Sequence, residues 1–316
     1  MLSLVTGVAG FIGSHLARRL LSEGCLVWGV DCFSDYYSRR IKERNIRSFI
    51  DHPHFTLLER DLLDCPDQLL EGVDVVFHQA AQPGVRASWG KEFTIYTRHN
   101  ILATQRLLEA ARKYSLKRFV FASSSSVYGK AVSLPMEEES LPRPVSPYGV
   151  SKLAAEHLCS LYYRNFKVPT VSLRYFTVYG PGQRPDMAFH RFVRAAYQQE
   201  ELTIFGIGEQ TRDFTFIDDI VEANLAASRR EEAVGNIYNI GGGSRISING
   251  VISILNRLVG QSLKVKYLPV QAGDPPHTYA DTSRARQDLG FSPQVTLEEG
   301  LKEQIQDLTA LFQEGL

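Results

Sequence analysis

"LSLVTGVAGFIGSHLARRLL" occupies residues 2–21, and its reading decides the fold. Leu2–Thr6 is a short apolar run of strand character, and Gly7 follows it directly. Gly7, Gly10 and Gly13 then open a segment in which Ile12, Leu16 and Leu20 recur at helical spacing. A strand that turns on glycine into a helix brings free backbone N–H groups and a helix N-terminus to one point, where a pyrophosphate can sit. The spacing is G-x-x-G-x-x-G, and glycine turns are common. The position between strand and helix is what points to a dinucleotide. The stretch is apolar enough to mimic a targeting segment. It has no basic start and its glycines break the apolar run early, so it reads as neither signal peptide nor membrane span.

Further strands follow at "CLVWGVD" (25–31), "FTLLE" (55–59), "DVVFHQ" (74–79), "RFVFAS" (118–123) and "PTVSLRY" (169–175). Several are apolar almost throughout, as strands buried on both faces must be. Helical patterns separate them; one carries Ile101, Leu107, Leu108 and Ala111 on a face. Strand–helix alternation of this kind predicts an α/β fold with a doubly wound parallel sheet. After residue 176 the pattern changes. Helices are expected at 188–199, 218–230, 248–259 and 297–313, the last with a stripe of Leu297, Leu301, Ile305 and Leu308. The division expected is 1–176 for nucleotide binding and 177–316 for a smaller α/β substrate lobe. A segment near 211–241, ending in "GNIYNIG", is expected to return to the first lobe.

The 316 residues carry 35 Lys and Arg against 35 Asp and Glu, a formal net charge of zero. No general attraction to nucleic acid or to an anionic membrane is expected. Cys25, Cys32, Cys65 and Cys159 have no ligand or disulfide spacing and read as reduced thiols of a cytoplasmic protein. The eight histidines are scattered without paired metal-ligand spacing, so no metal site is expected.

Asp31 ends the second strand near the usual offset from the glycine turn. There a carboxylate accepts hydrogen bonds from ribose hydroxyls and repels a 2′-phosphate, which favours NAD over NADP; a plain turn aspartate is the alternative. Asp61 and Leu62, after the third strand, are placed to read adenine. "SPYGVSK" (146–152) starts a helix, with Ser146 as N-cap and Pro147 in the first turn. Tyr148 and Lys152 then share a face. A tyrosine is a poor base at neutral pH, but a lysine ammonium one turn away and the helix N-terminus both favour the phenolate. Ser124, at the end of "RFVFAS", sits where parallel sheets bind ligands and can hold a reacting oxygen. An isolated Tyr-x-x-x-Lys is a surface lysine over a half-buried ring. Strand, serine, tyrosine and lysine together read as an acid–base centre.

With these motifs the chain resembles the extended short-chain dehydrogenase/reductases that act on nucleotide sugars. "TGVAGFIGSHL", "SSSSVYG", "SPYGVSK", "RYFTVYGPGQRPDM", "RDFTFIDDIV" and "GDPPHTYAD" carry the likeness along nearly the whole chain. The resemblance implies a Rossmann-type fold, NAD as cofactor, and Ser124, Tyr148 and Lys152 as catalytic residues. It implies NAD contacts at Gly7, Gly10, Phe11, Ile12, Gly13, Asp31, Asp61, Leu62, Ala80, Asn100, Tyr148, Lys152 and Phe176. A homodimer through helix faces near 94–113 and 147–165 is expected on the same ground.

Within that family, related dehydratases carry an Asp-Glu pair where Ser125 and Ser126 stand, and UDP-glucuronate decarboxylases a glutamate in place of Ser126. Hydroxyls cannot take the proton that dehydration removes, which favours simple 4-epimerisation. Thr177, where many relatives have asparagine, and the following "GQRPDM" are similar to the UDP-glucuronate 4-epimerase subgroup, as are "FSDYYSRRIKERN" (33–45) and "AAQPGVRASW" (80–89). The activity implied is NAD-dependent interconversion of UDP-glucuronate and UDP-galacturonate through a 4-keto sugar. Arg184 is expected on the sugar carboxylate, where a guanidinium opposes loss of carbon dioxide from a β-keto acid; a diphosphate contact or a surface position is the alternative. Arg212 resembles the family's diphosphate arginine, Asp274 its ribose carboxylate, and Phe205 lies where uracil is held. Arg86 is a candidate for diphosphate or carboxylate. UDP-glucose or UDP-N-acetylglucosamine epimerisation, UDP-glucuronate decarboxylation, and NAD sensing without catalysis remain as other readings.

Overall fold

The computed structural model describes residues 1–65, 67–130, 133–271 and 273–316. Seven strands form the main sheet: β1 (Leu2–Thr6), β2 (Leu26–Asp31), β3 (Phe55–Glu59), β4 (Val75–His78), β5 (Arg118–Ser124), β6 (Thr170–Tyr175) and β7 (Ile237–Ile240). Their order is β7-β6-β5-β4-β1-β2-β3, and every pairing is parallel. Strands β4, β5 and β6 are buried along their whole length, including the polar Arg118, Ser123, Ser172 and Arg174 that break their apolar runs. The order reverses between β1 and β4, so the crevice for a ligand opens there, beyond the strands' C-terminal ends.

Helix α1 (Phe11–Ser22) buries Leu16, Ala17, Leu20 and Leu21. Helix α2 (Arg39–Ile46) carries Lys42 inward, and the chain at Phe93–Ala111 holds a helix interrupted by a π-turn at Thr97–Leu102. That turn shifts the face: Leu107, Leu108 and Ala111 are buried, whereas Ile101 is half-buried and Leu102 lies outside. Helix α3 (Pro147–Phe166) begins as its sequence demands, with Ser146 Oγ accepting from the Gly149 N–H at 3.1 Å. Gly149 is required for closeness: a Cβ there would lie 2.5 Å from the Ser126 carbonyl oxygen. The glycine thus lets the first turn of α3 press against the serine turn that ends β5.

The second half contributes a three-stranded sheet (Thr177–Tyr179, Thr211–Phe216, Arg245–Ser247) and a parallel pair (Leu202–Phe205 with Val265–Leu268). The closing helix α4 (Leu297–Gln313) buries Leu301, Gln304, Leu308 and Leu311. Its Asp307 accepts from the Gly182 N–H at 2.7 Å and from Arg44 of α2 at 2.8 Å, clasping the turn before Arg184 to the nucleotide-side helix. No described helix is long and apolar enough to cross a membrane.

Candidate active site

A cleft of about 200 Å³ opens at the β1/β4 junction. Gly7, with φ 68°, makes the turn after β1, and a Cβ on it would come within 2.8 Å of the Ala80 backbone after β4. Gly10 caps α1 without any side-chain hydrogen bond, so the first-turn N–H groups face the cleft free. Gly13 lies so close under Gly7 that a Cβ would meet its carbonyl oxygen at 2.2 Å. Phe11 and Ile12 line the opening, as do Asp61, Leu62 and Ala80. The floor is therefore bare backbone at a helix N-terminus, a cradle suited to a pyrophosphate.

Asp31, at the end of β2, is 8% exposed. Its carboxylate accepts from the Ala9 N–H at 3.1 Å and the Phe33 N–H at 2.8 Å, and keeps lone pairs toward the cleft. Burial pushes this carboxyl above its ordinary range, against the pull of Lys42 and the two N–H groups. Lys42 Nζ stands 4.0 Å from it and donates to Ser34 O and Oγ. Lys42 was not singled out by sequence, although it lies in the quoted stretch 33–45. Asp61 caps the turn at Leu62–Asp64 and pairs with Arg98 at 3.0 Å; despite partial burial, those bonds hold its pKa down.

Two residues expected at the cofactor are buried in the chain alone. The Phe176 ring packs among Val127, Tyr128, Met136 and Ala280. Asn100 is also buried. It accepts from the Gln82 N–H at 2.7 Å and donates to Gln82 O at 3.0 Å and Ser151 Oγ at 2.9 Å. It thereby ties Gln82, which lines the cleft, to α3.

Tyr148 and Lys152 line the cleft from α3. Tyr96, held by its hydroxyl to Pro83 O and Gly84 O, packs edge-on to Tyr148 with centroids 6.2 Å apart. Lys152 Nζ lies over the Phe121 ring at 4.5 Å, and burial lowers its pKa to about 8, partly opposed by Cys159 and Glu156. Burial raises the Tyr148 pKa, and the groups that oppose it are Ser124 and Arg184. His78, below Lys152, bonds Thr6 and Thr104 through its two ring nitrogens, and burial drives it to about 3.

The serines emerge at the end of β5, with Ser124 accepting from the Ser126 N–H at 3.1 Å. Sheet register sets Ser124 opposite Tyr175 on β6, so Ser125 and Ser126 and then Thr177 leave adjacent strand ends. The hydroxyls of Ser125, Ser126 and Thr177 have no hydrogen-bond partner among the described residues, and all three residues are half-buried.

Arg184 lines the same cleft as Tyr148. Its guanidinium is not free: Nε meets Asp186 Oδ1 at 3.0 Å and Nη2 meets Oδ2 at 3.1 Å. A second group of charges gathers elsewhere. Arg86 donates to Asp274 at 2.6 Å and its guanidinium covers the Phe205 ring at 4.4 Å. Arg212, lowered by burial, feels both Asp274 and Arg86; Arg191, lowered likewise, feels Arg86 and Arg194. Arg191 is a member sequence reading missed, since "FHRFVRAA" reads as an ordinary amphipathic helix. Among the described residues no cluster of three or more His, Cys, Asp or Glu could hold a metal ion.

Comparison with known proteins places these features. A family model described as the NAD dependent epimerase/dehydratase family matches residues 3–241. A Bacillus subtilis (strain 168) protein named as an uncharacterized UDP-glucose epimerase, YtcB, is 47% identical over 312 residues, 98% of either chain. The UDP-glucuronate 4-epimerase of Thermodesulfobacterium geofontis is 39% identical over 308 residues, 95% of this chain and 93% of that one. The crystal structure of UDP-glucuronic acid 4-epimerase from Bacillus cereus, in complex with UDP-glucuronic acid and NAD, matches with a TM-score of 0.96 and 46% identity. It covers 98% of this chain and all of that one.

Proposed function

Because the chain belongs to the NAD-dependent epimerase/dehydratase family, we propose that it is a UDP-sugar 4-epimerase whose substrate is UDP-glucuronate, converted to UDP-galacturonate. The observation that carries the choice of sugar is the separation of the arginines. Arg184 stands in the cleft with Tyr148, while Arg86 and Arg212 gather around Asp274 and Phe205. That second group suits a uridine diphosphate, with Phe205 for the base, Asp274 for the ribose and the arginines for the phosphates. Arg184 is then left for a carboxylate on the sugar. The hydroxyls of Ser125, Ser126 and Thr177 supply neutral donors at adjacent strand ends, with no glutamate at those positions for decarboxylation or dehydration.

The glycine cradle and Asp31 would hold NAD, its pyrophosphate at the α1 N-terminus and a ribose on the carboxylate. When bound, NAD would supply the hydride acceptor and donor for carbon 4 and, from its positive ring, a charge that favours the phenolate. Tyr148 takes the proton of the 4-hydroxyl, Ser124 holds that oxygen, and Lys152 keeps a positive charge beneath. Carbon 4 becomes a ketone β to the carboxylate, and a guanidinium on that carboxylate stabilises the charge that decarboxylation would remove. Turning the ketone over before reduction inverts the centre. We assign a homodimer contact to Ile95, Leu102, Val150 and Leu161, apolar side chains 39–51% exposed on the Phe93–Ala111 segment and α3. A cytoplasmic location agrees with four free cysteines.

An NMR time course with UDP-glucuronate, UDP-glucose and UDP-N-acetylglucosamine in parallel tests the reading. UDP-galacturonate should form fastest and without any pentose product. Faster conversion of UDP-glucose, the sugar in the name of the Bacillus subtilis relative, would reverse the assignment.

A further inference from the structure

Arg184 and Asp186 lie two residues apart, on the turn between the Thr177–Tyr179 strand and the helix Ala188–Gln198. The guanidinium meets the carboxylate through two parallel bonds of 3.0 and 3.1 Å, the geometry an external carboxylate would take on the same edge. The pair is partly shielded, with side-chain exposures of 21% and 36%. It is not what holds the turn. Gly182 N–H is bound to Asp307 at 2.7 Å, Gln183 Nε2 donates to Val178 O at 3.0 Å, and Gln183 Oε1 accepts from Gln304 at 2.7 Å and the His190 N–H at 3.0 Å. Asp186 has a second donor, the Tyr36 hydroxyl at 3.3 Å, which remains when the arginine leaves.

We propose that Asp186 is an internal stand-in for the sugar carboxylate: it occupies the Arg184 fork until a uronate takes its place, and so sets how strongly the site prefers an acidic sugar. The inference rests on the assignment of Arg184 to that carboxylate. A uronate exchanges one carboxylate for another on the guanidinium, so its measured affinity carries the cost of displacing Asp186. A neutral UDP-hexose has no charge to offer and leaves the pair intact. The exchange also keeps the charge near the phenol balanced, because Arg184 and Asp186 act on Tyr148 in opposite directions. Asp186 touches no reacting atom; it is a positioning and specificity residue.

The test is calorimetric titration of the NAD-saturated protein in a Tyr148→Phe background, with UDP-glucuronate and UDP-glucose as the two probes. Asp186→Asn should tighten UDP-glucuronate on the order of tenfold, the scale of one charge-assisted bond, and leave UDP-glucose unchanged. Asp186→Glu should restore the weaker wild-type affinity for the uronate. Uronate binding that is unchanged or weaker in Asp186→Asn, while Arg184→Ala still loses the uronate selectively, would mean Asp186 merely steadies the arginine, and the exchange would be wrong. Equal loss of both sugars in Arg184→Ala would instead remove the carboxylate assignment itself, and the exchange with it. A thermal melt of each variant separates a loosened turn from an altered affinity.

Discussion

Arg174→Met should destabilise this protein far more than its distance from the cleft suggests. Arg174 lies on β6 and Glu156 on α3, with exposures of 2% and 1%. Nη2 donates to Glu156 Oε1 at 2.7 Å and Nε to Oε2 at 3.0 Å; Nη1 donates to the Tyr128 hydroxyl at 2.7 Å and to Glu138 O at 3.0 Å. Ser123 Oγ adds a bond to Glu156 Oε2 at 2.6 Å. Methionine fills the volume but leaves a buried carboxylate with the serine as its remaining side-chain donor. Removing one member of such a pair costs about 3–5 kcal/mol. Replacing both members by neutral groups of similar size costs much less, because neither charge is then stranded. Arg174→Met with Glu156→Gln should therefore recover most of the loss. Thermal and urea melts of the wild type, the single variant and the pair provide the measurement. A single variant within about 1 kcal/mol of wild type, or a double variant no better than the single, would refute the account. The pair also bears on the site, since Glu156 lies one turn beyond Lys152 and Ser123 precedes Ser124.

Tyr148→Phe should retain NAD and UDP-sugar binding while turnover falls by a factor on the order of 10² to 10⁴, the scale of a lost acid–base group; stopped-flow or NMR rates within tenfold of wild type would take the phenol out of the chemistry. Asp31→Ala should weaken NAD and narrow its advantage over NADP, because the variant no longer repels a 2′-phosphate and leaves Lys42 and Arg60 at the cleft wall; an unchanged NAD/NADP ratio in fluorescence titrations would place the ribose elsewhere. Lys152, whose folded pKa is lowered to about 8 from 10.5, holds its ammonium fully below pH 8 and loses it as pH rises through that value, so turnover should decline there. The sign for stability is opposite: between about pH 8 and 10.5 the unfolded chain holds a proton that the folded chain has released, so the burial penalty of this group fades as pH rises. A Lys152→Met variant that keeps the same alkaline decline in its pH–rate profile would assign that limb to another group.

The main sheet was legible because its code is local. Each strand was read as a short β-rich run, several of them apolar almost throughout, and the observed strands agree with those runs within a residue or two at either end. The later helices at 188–198, 217–229, 248–259 and 297–313 follow from apolar spacing in the same way. The π-turn at Thr97–Leu102 was not legible, because one added residue in a helical turn leaves composition and spacing almost untouched. Phe176 shows a different limit. Its neighbours in sequence lead into the site, yet the residue after β6 points its ring into a small separate core of Val127, Tyr128, Met136 and Ala280. A motif gives the strand end, while packing decides which way the side chain turns.

Charge partners were the least legible part of the site. Arg184 was singled out by the chemistry of a β-keto acid, and Asp186 was passed over although it stands in the same quoted motif. Two residues apart, an arginine and an aspartate have no fixed relation in a loop; their facing depends on the turn that α4 holds through Asp307 and Gln304. The same reasoning applies to Arg86 and Asp274, which meet at 2.6 Å from opposite ends of the sequence. The Arg86–Asp274 pair exists only once the distant segments that carry it have come together. The sequence could therefore name Arg184, Arg86 and Asp274 one by one, whereas only the folded chain reveals which carboxylate each guanidinium meets. The two pairs differ in setting: Arg184 is 21% exposed and meets an aspartate of its own turn, whereas Arg86 is 45% exposed and meets Asp274 from a distant part of the chain. A neighbouring carboxylate matters more for the better-shielded guanidinium, because an uncompensated charge costs more as water is excluded.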